Sequence, residues 1–195
     1  MNTEPIALKN LAKIVPGYPF RGKIDEAPGS SVTAVQMKDA SHTNGINWGL
    51  CIETELPGKR QPYWLSPNDI LVAARGNKNY AVRVGEGLGG RQAVASPHFF
   101  VVSITDDKLD PEYLEFVLNH GPCQNHFRRE AEGSLTKSIR RPVLENAPIP
   151  LLPLEKQRSI VGIANTIQRE RAIAQNLIHN GEKLLNALAN ELHHS

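Results

Sequence analysis

Two periods organise the apolar and polar positions of this chain. Ser31-Val32-Thr33-Ala34-Val35-Gln36-Met37 alternates with period two and is β-branched, which predicts a strand. Tyr80-Ala81-Val82-Arg83-Val84 alternates in the same way. Ile70-Leu71-Val72-Ala73-Ala74 is a short continuous apolar run, the mark of a buried strand, and Phe99 to Ile104 predicts another. Leu8, Leu11, Ala12 and Val15 recur at helical spacing until Pro16-Gly17 stops them, so a short helix or turn is expected there. Pro28-Gly29-Ser30 and the polar stretch Lys38 to Asn47 read as loops, and Ser66-Pro67-Asn68-Asp69 as a turn.

The second half turns helical. Asp110 is suited to cap a helix whose first residue is Pro111 and whose apolar face is Tyr113, Leu114, Val117 and Leu118. A second helix is expected from Gln124 to Ala131, broken by Gly133-Ser134. Ile149-Pro150-Leu151-Leu152-Pro153 forbids helix, and Pro153 then opens one that runs from about Leu154 to about Leu192. At ~1.5 Å per residue this is a rod of roughly 57 Å, longer than the preceding residues need for their own core. With Ile160 at heptad position a, an imperfect apolar stripe follows: Ile160, Ile163, Ile167, Ala174, Leu177, Ile178, Leu184, Leu185 and Leu188. Glu170, Arg171 and Gly181 interrupt it. The far end has no local core to cover, so the helix is expected to be shared with a partner. Residues 1–150 thus read as one domain and residues 151–195 as a spacer or dimerisation helix.

Composition narrows the function. Of 195 residues 40% are apolar and 22% charged, enough for a packed core. The net charge of only +2 confines any nucleic-acid surface to a local patch. Cys51 and Cys123 are far apart and suggest neither zinc nor a disulfide framework, which fits a cytoplasmic location. Met1 to Glu4 shows no basic secretory start, and no apolar run is long enough to span a membrane.

Catalytic motifs are missing. Gly85-Glu86-Gly87-Leu88-Gly89-Gly90 imitates a dinucleotide loop, but Arg91 to Pro97 is too short and broken for the helix such a loop requires. A glycine-rich hairpin is the better reading, and no cofactor is expected. The histidines make no metal-ligand spacing, and no GxSxG or Walker motif occurs. No metal or catalytic residue is therefore assigned.

What remains is basic and loop-borne. Arg75, Asn77, Lys78 and Asn79 lie between two predicted strands and have the side chains that read base edges and phosphates. Arg91 and Gln92 follow the glycine loop. Ser134, Thr136, Lys137 and Arg140 join hydroxyls to cations at a small-residue turn suited to phosphate oxygens. With Lys38, these form the candidate DNA-binding set.

Several segments, in order along the chain, resemble the specificity (S) subunits of type I restriction–modification systems. Leu8 to Phe20 is similar to the family's opening amphipathic stretch and Gly-x-Pro-Phe. Tyr63 to Gly76 resembles its "L…GDIL…G" strand, with Asn68 where glycine is usual. Leu109 to Leu114 resembles the helix start near the domain's end, and Gly133-Ser134 with Ile139 the "GS…I" turn. Ile149 to Ile160 resembles the closing "IPLPPLxEQxxI", with Leu152 replacing a proline.

The resemblance implies an α/β (α+β) target recognition domain, a mixed sheet with short helices, followed by a long spacer helix. It implies a non-catalytic subunit that binds double-stranded DNA and recruits an adenine methyltransferase (M) subunit and, in the full system, a restriction (R) subunit. Full S subunits carry two domains and two helices, and this sequence has room for one of each. That leaves a half-subunit, a truncated or phase-variable fragment, or a member of a related system; a half-subunit that reads half of a bipartite site and forms a homodimer through its helix is the expectation. The alternative is a helix-mediated scaffold of the same fold without DNA binding.

Overall fold

The computed structural model describes residues 4–58, 60–76, 78–133 and 138–193. Its strands are β1 (Ile6–Ala7), β2 (Ala12–Pro16), β3 (Val32–Val35), β4 (Ala40–Ser41), β5 (Gly45–Ile46), β6 (Ile52–Thr54), β7 (Ile70–Ala73), β8 (Ala81–Arg83), β9 (Gln92–Ala95), β10 (Phe99–Ile104) and β11 (Pro148–Ile149). Its helices are α1 (Pro111–Asn119), α2 (Gly121–Glu130), α3 (Arg141–Glu145) and α4 (Leu154–His193).

The continuous apolar run at β7 is explained by what lies on both of its faces. β7 is internal to a four-stranded antiparallel sheet ordered β2-β10-β7-β8. Ile70 and Val72 face a core shared with Leu114, Leu118 and Phe127 of α1 and α2. Leu71 and Ala73 face the opposite way, into a second core with Val35, Ala93 and Ala95. Those last residues belong to a three-stranded sheet, β6-β3-β9, in which β3 and β9 run parallel. A strand covered on both sides has no polar face to show. The expected mixed α+β architecture with a long terminal helix is what the chain adopts.

Gly17 marks the passage from one sheet to the other. Its N–H donates to Phe99 O, and the next N–H, of Tyr18, donates to Ala95 O. A Cβ at position 17 would stand 2.0 Å from the Ser96 carbonyl oxygen, so only glycine fits.

The outer edge of the four-stranded sheet is capped by side chains of α1. Asn119 Oδ1 accepts from Ala81 N, and Asn119 Nδ2 donates to Ala81 O, as a neighbouring strand would. One turn earlier, Glu115 Oε1 accepts from Arg83 N. The backbone of β8 is thereby satisfied without a further strand.

The helix α4 is rooted by its first turns. Gln157 is fully buried. Its Oε1 accepts from Asp110 N, and its Nε2 donates to the carbonyls of Lys108 and Leu152. Val161 enters the first core and Ile160 packs beside it. From Asn165 to Asn190 every residue is exposed. The 40 residues of α4 make a rod of about 60 Å, most of it standing clear of the domain.

Several expectations need correction. Leu8 to Val15 is not a helix: only Leu8–Asn10 form a one-turn 3-10 helix, and Ala12 onward is strand β2, because pairing with β10 overrides the helical spacing. The polar stretch Lys38 to Asn47 contains the short pair β4–β5. The second helix starts at Gly121, three residues earlier than expected, with Pro122 in its first turn. Gly85 to Gly90 is no hairpin, because the strands on either side of it join different sheets. It forms a 3-10 turn over Glu86–Leu88, with Leu88 buried and Gly87 against the Trp48 indole.

Candidate nucleic-acid interface

Most of the described candidate residues sit on connections between elements of the two cores. Lys38 lies exposed in a 3-10 turn, Met37–Asp39, that leads out of β3. The Gln36 N–H donates to Asp39 Oδ2, which closes this turn, and burial raises the Asp39 carboxyl above its usual range. Tyr80 ties the turn to the β7–β8 connection, its hydroxyl donating to the Met37 and Ala40 carbonyls. Arg75 is exposed in that connection and bridges Ser138 across the chain. Lys38, Arg75, Lys78 and the segment around Ser138 are therefore drawn to one end of the molecule.

Arg91 and Gln92 are exposed at the start of β9. The Arg91 guanidinium folds back and donates to the carbonyls of Gly87 and Leu88, which stiffens the glycine turn. Burial pushes the Cys51 thiol up to about 12; Asp39 adds to this, and Arg91 and Lys38 oppose it. Arg140 forms an ion pair with Glu132, whose backbone bridges Ser138.

Asn79 is a correction. It is buried, and its Nδ2 donates to Ala73 O, closing the β7–β8 connection from within. An amide so committed cannot read a base without opening the turn. Asn77, Ser134, Thr136 and Lys137 lie outside the described residues. Arg128 and His42, which are exposed and line one cavity with Lys78, were not among the candidates expected from sequence. Arg128 falls in the stretch read only as a second helix, and His42 in a stretch read as loop. Among the described residues no three His, Cys, Asp or Glu converge as metal ligands, and no helix is long and apolar enough to cross a membrane.

On the helix, Ile163, Ile167, Leu177, Ile178, Leu184, Leu185 and Leu188 are each at least half exposed. Ala174 is exposed too. Ile160 differs from this set, since it packs on the domain's own core. Ile173 is 61% exposed and was not foreseen in the stripe.

No family model matches the sequence. Solved structures do match this arrangement of sheets, helices and terminal rod. A chain from a structure of complex assembly and conformational transition in the type I R-M system superposes with a TM-score of 0.70 at 18% identity, over 94% of this chain and 42% of that one. The chain has the fold of a type I restriction–modification S subunit. The S subunit from M. genitalium matches with a TM-score of 0.55 at 14% identity, over 87% of this chain and 40% of that one. The HsdS subunit from Thermoanaerobacter tengcongensis gives 0.57 at 19% identity, over 86% and 37%. The chain therefore spans about two fifths of the length of the chains it matches in these structures.

Proposed function

We propose that this chain is the sequence-specificity element of a type I restriction–modification system. In this reading it is non-catalytic: residues 1–150 bind double-stranded DNA and residues 151–195 set spacing and hold partners. The domain reads one half of a bipartite site and recruits an adenine methyltransferase subunit. The observation that carries the reading is the fold shared with S-subunit structures over 86–87% of the chain. The exposed cations Lys38, Arg75, Lys78 and Arg91 on one domain support it. They are the groups that would track phosphates or read guanine.

The second copy is the proposed occupant of the free helix. A stripe of half-exposed isoleucine and leucine is unfavourable in water. An antiparallel pair of α4 helices would bury the stripe and place a recognition domain at each end. Its target would be an inverted repeat with unread base pairs between the halves.

The test is co-expression with a type I methyltransferase subunit, co-purification, and mapping of methylated adenines. Methylation at one bipartite site, lost when this chain is omitted, is the expected result. A stable complex that methylates nothing would favour the scaffold reading.

A further inference from the structure

A cavity of about 370 Å³ opens between the β4–β5 turn, the β7–β8 turn and α2. Its rim carries His42, Lys78 and Arg128, and among the described residues no acidic side chain lines it. The ion pairs among the described residues engage Arg83, Arg140 and Arg141, and none engages Lys78 or Arg128. Arg128 uses Nε on the Gln124 carbonyl and Nη2 on Asn125 Oδ1, and Nη1 has no partner among the described residues.

The hydrogen-bond donors deeper in the cavity are largely committed. Asn119 is spent on the β8 edge and the Glu115 carbonyl. Gln124 Nε2 donates to the carbonyls of Asn79 and Leu118, and the Tyr80 hydroxyl serves Met37 and Ala40. The floor therefore offers few free donors for a base edge, while the rim offers cations with no ion-pair partner among the described residues. That combination selects an anion and not a nucleobase.

We propose that this cavity binds a backbone phosphate of the DNA, held by Lys78 and Arg128 with His42 at its rim. The inference rests on the DNA-binding reading and deepens it by assigning a sequence-independent contact. His42 supplies a built-in reporter. Burial, and then the charges of Lys78, His120 and Arg171, lower its pKa. On its other side His42 borders a second cleft where Glu112 and Glu115 face Arg83 and His120. A phosphate seated between Lys78 and Arg128 would offset those cations and raise the His42 pKa.

The experiment uses the full chain, a short duplex and inorganic phosphate. Duplex affinity is measured against salt for the native protein, Lys78→Ala, Arg128→Ala, the double variant and Arg128→Lys. The His42 imidazole is followed by NMR titration, with circular dichroism to confirm folding. Each alanine should flatten the salt slope by about one and weaken unrelated duplexes alike, and Arg128→Lys should restore the slope. The duplex should raise the His42 pKa in the native protein and not in the double variant. A native protein that binds duplex while the double variant keeps its slope overturns the placement alone. A rise in the His42 pKa with inorganic phosphate but not with duplex overturns it too, by making the cavity a small-anion site. No duplex binding by the native protein overturns both this inference and the functional reading.

Discussion

Gln157 is the side chain on which the attachment of the helix most depends. Alanine there would strand the Asp110 N–H and the carbonyls of Lys108 and Leu152 in a buried setting. A loss of about 2–4 kcal/mol is expected by urea denaturation, and a loss below about 1 kcal/mol would contradict this role. Glu115 works in the other direction. Burial raises its carboxyl pKa, against the opposing N–H and charge of Arg83. A raised acid contributes stability below its unfolded value of 4.5 and loses it as pH rises through the folded value. Glu115→Gln keeps the acceptor for Arg83 N and removes the charge. It should match the native protein in stability near pH 4 and exceed it near pH 7. A deficit near pH 7 that fades near pH 4 would show instead that the charge pair with Arg83 dominates.

At the scale of elements, periodicity was most informative where one element supplies its own reason to form. β7 is a dense apolar run, and α1 carries its cap in sequence, with the Asp110 carboxylate accepting from Glu112 N and Tyr113 N. The rod was legible from its length and from the prolines before it. β9 was not, because Gln92-Ala93-Val94-Ala95 has small side chains and becomes a strand only through its parallel partner β3. β2 was misread because its apolar spacing satisfies a helix and a twisted strand equally well. In the candidate site, exposed Arg75 and Lys78 were legible as loop cations. The inward turn of Asn79 was not, since a turn and a base-reading loop use the same residue type. The rod yields its own test. Charged substitutions at Ile167 and Leu177 should dissociate the proposed dimer in sedimentation and leave the thermal transition of the globular domain unchanged. Nothing lies within 4 Å of a Cβ at Gly181. Gly181→Ala should therefore stabilise a lone helix by about 1 kcal/mol, and Gly181→Leu should weaken a pair in which a partner helix approaches there. A strict monomer at tens of micromolar, with the helix formed, would remove the dimer.

For the molecule as a whole, the two cores and the rod divide the work between a rigid body and a long arm. β7 contributes alternate side chains to both cores, so the sheets cannot slide past one another without emptying one of them. The loops that carry Lys38, Arg75 and Lys78 are therefore presented from a fixed frame, with the arm rooted in the same frame by Gln157 and Val161. The capped edge of β8 bears on solubility. An open sheet edge invites other chains to add strands without limit, whereas a paired helix stops at two. The Asn119 amide occupies the place where such a growing stack would begin. Asn119→Ala should leave the monomer folded yet raise light scattering on heating, with amyloid-dye binding as the signature of strand addition. If the variant stays as clear as the native protein, another part of the surface keeps this chain from clumping.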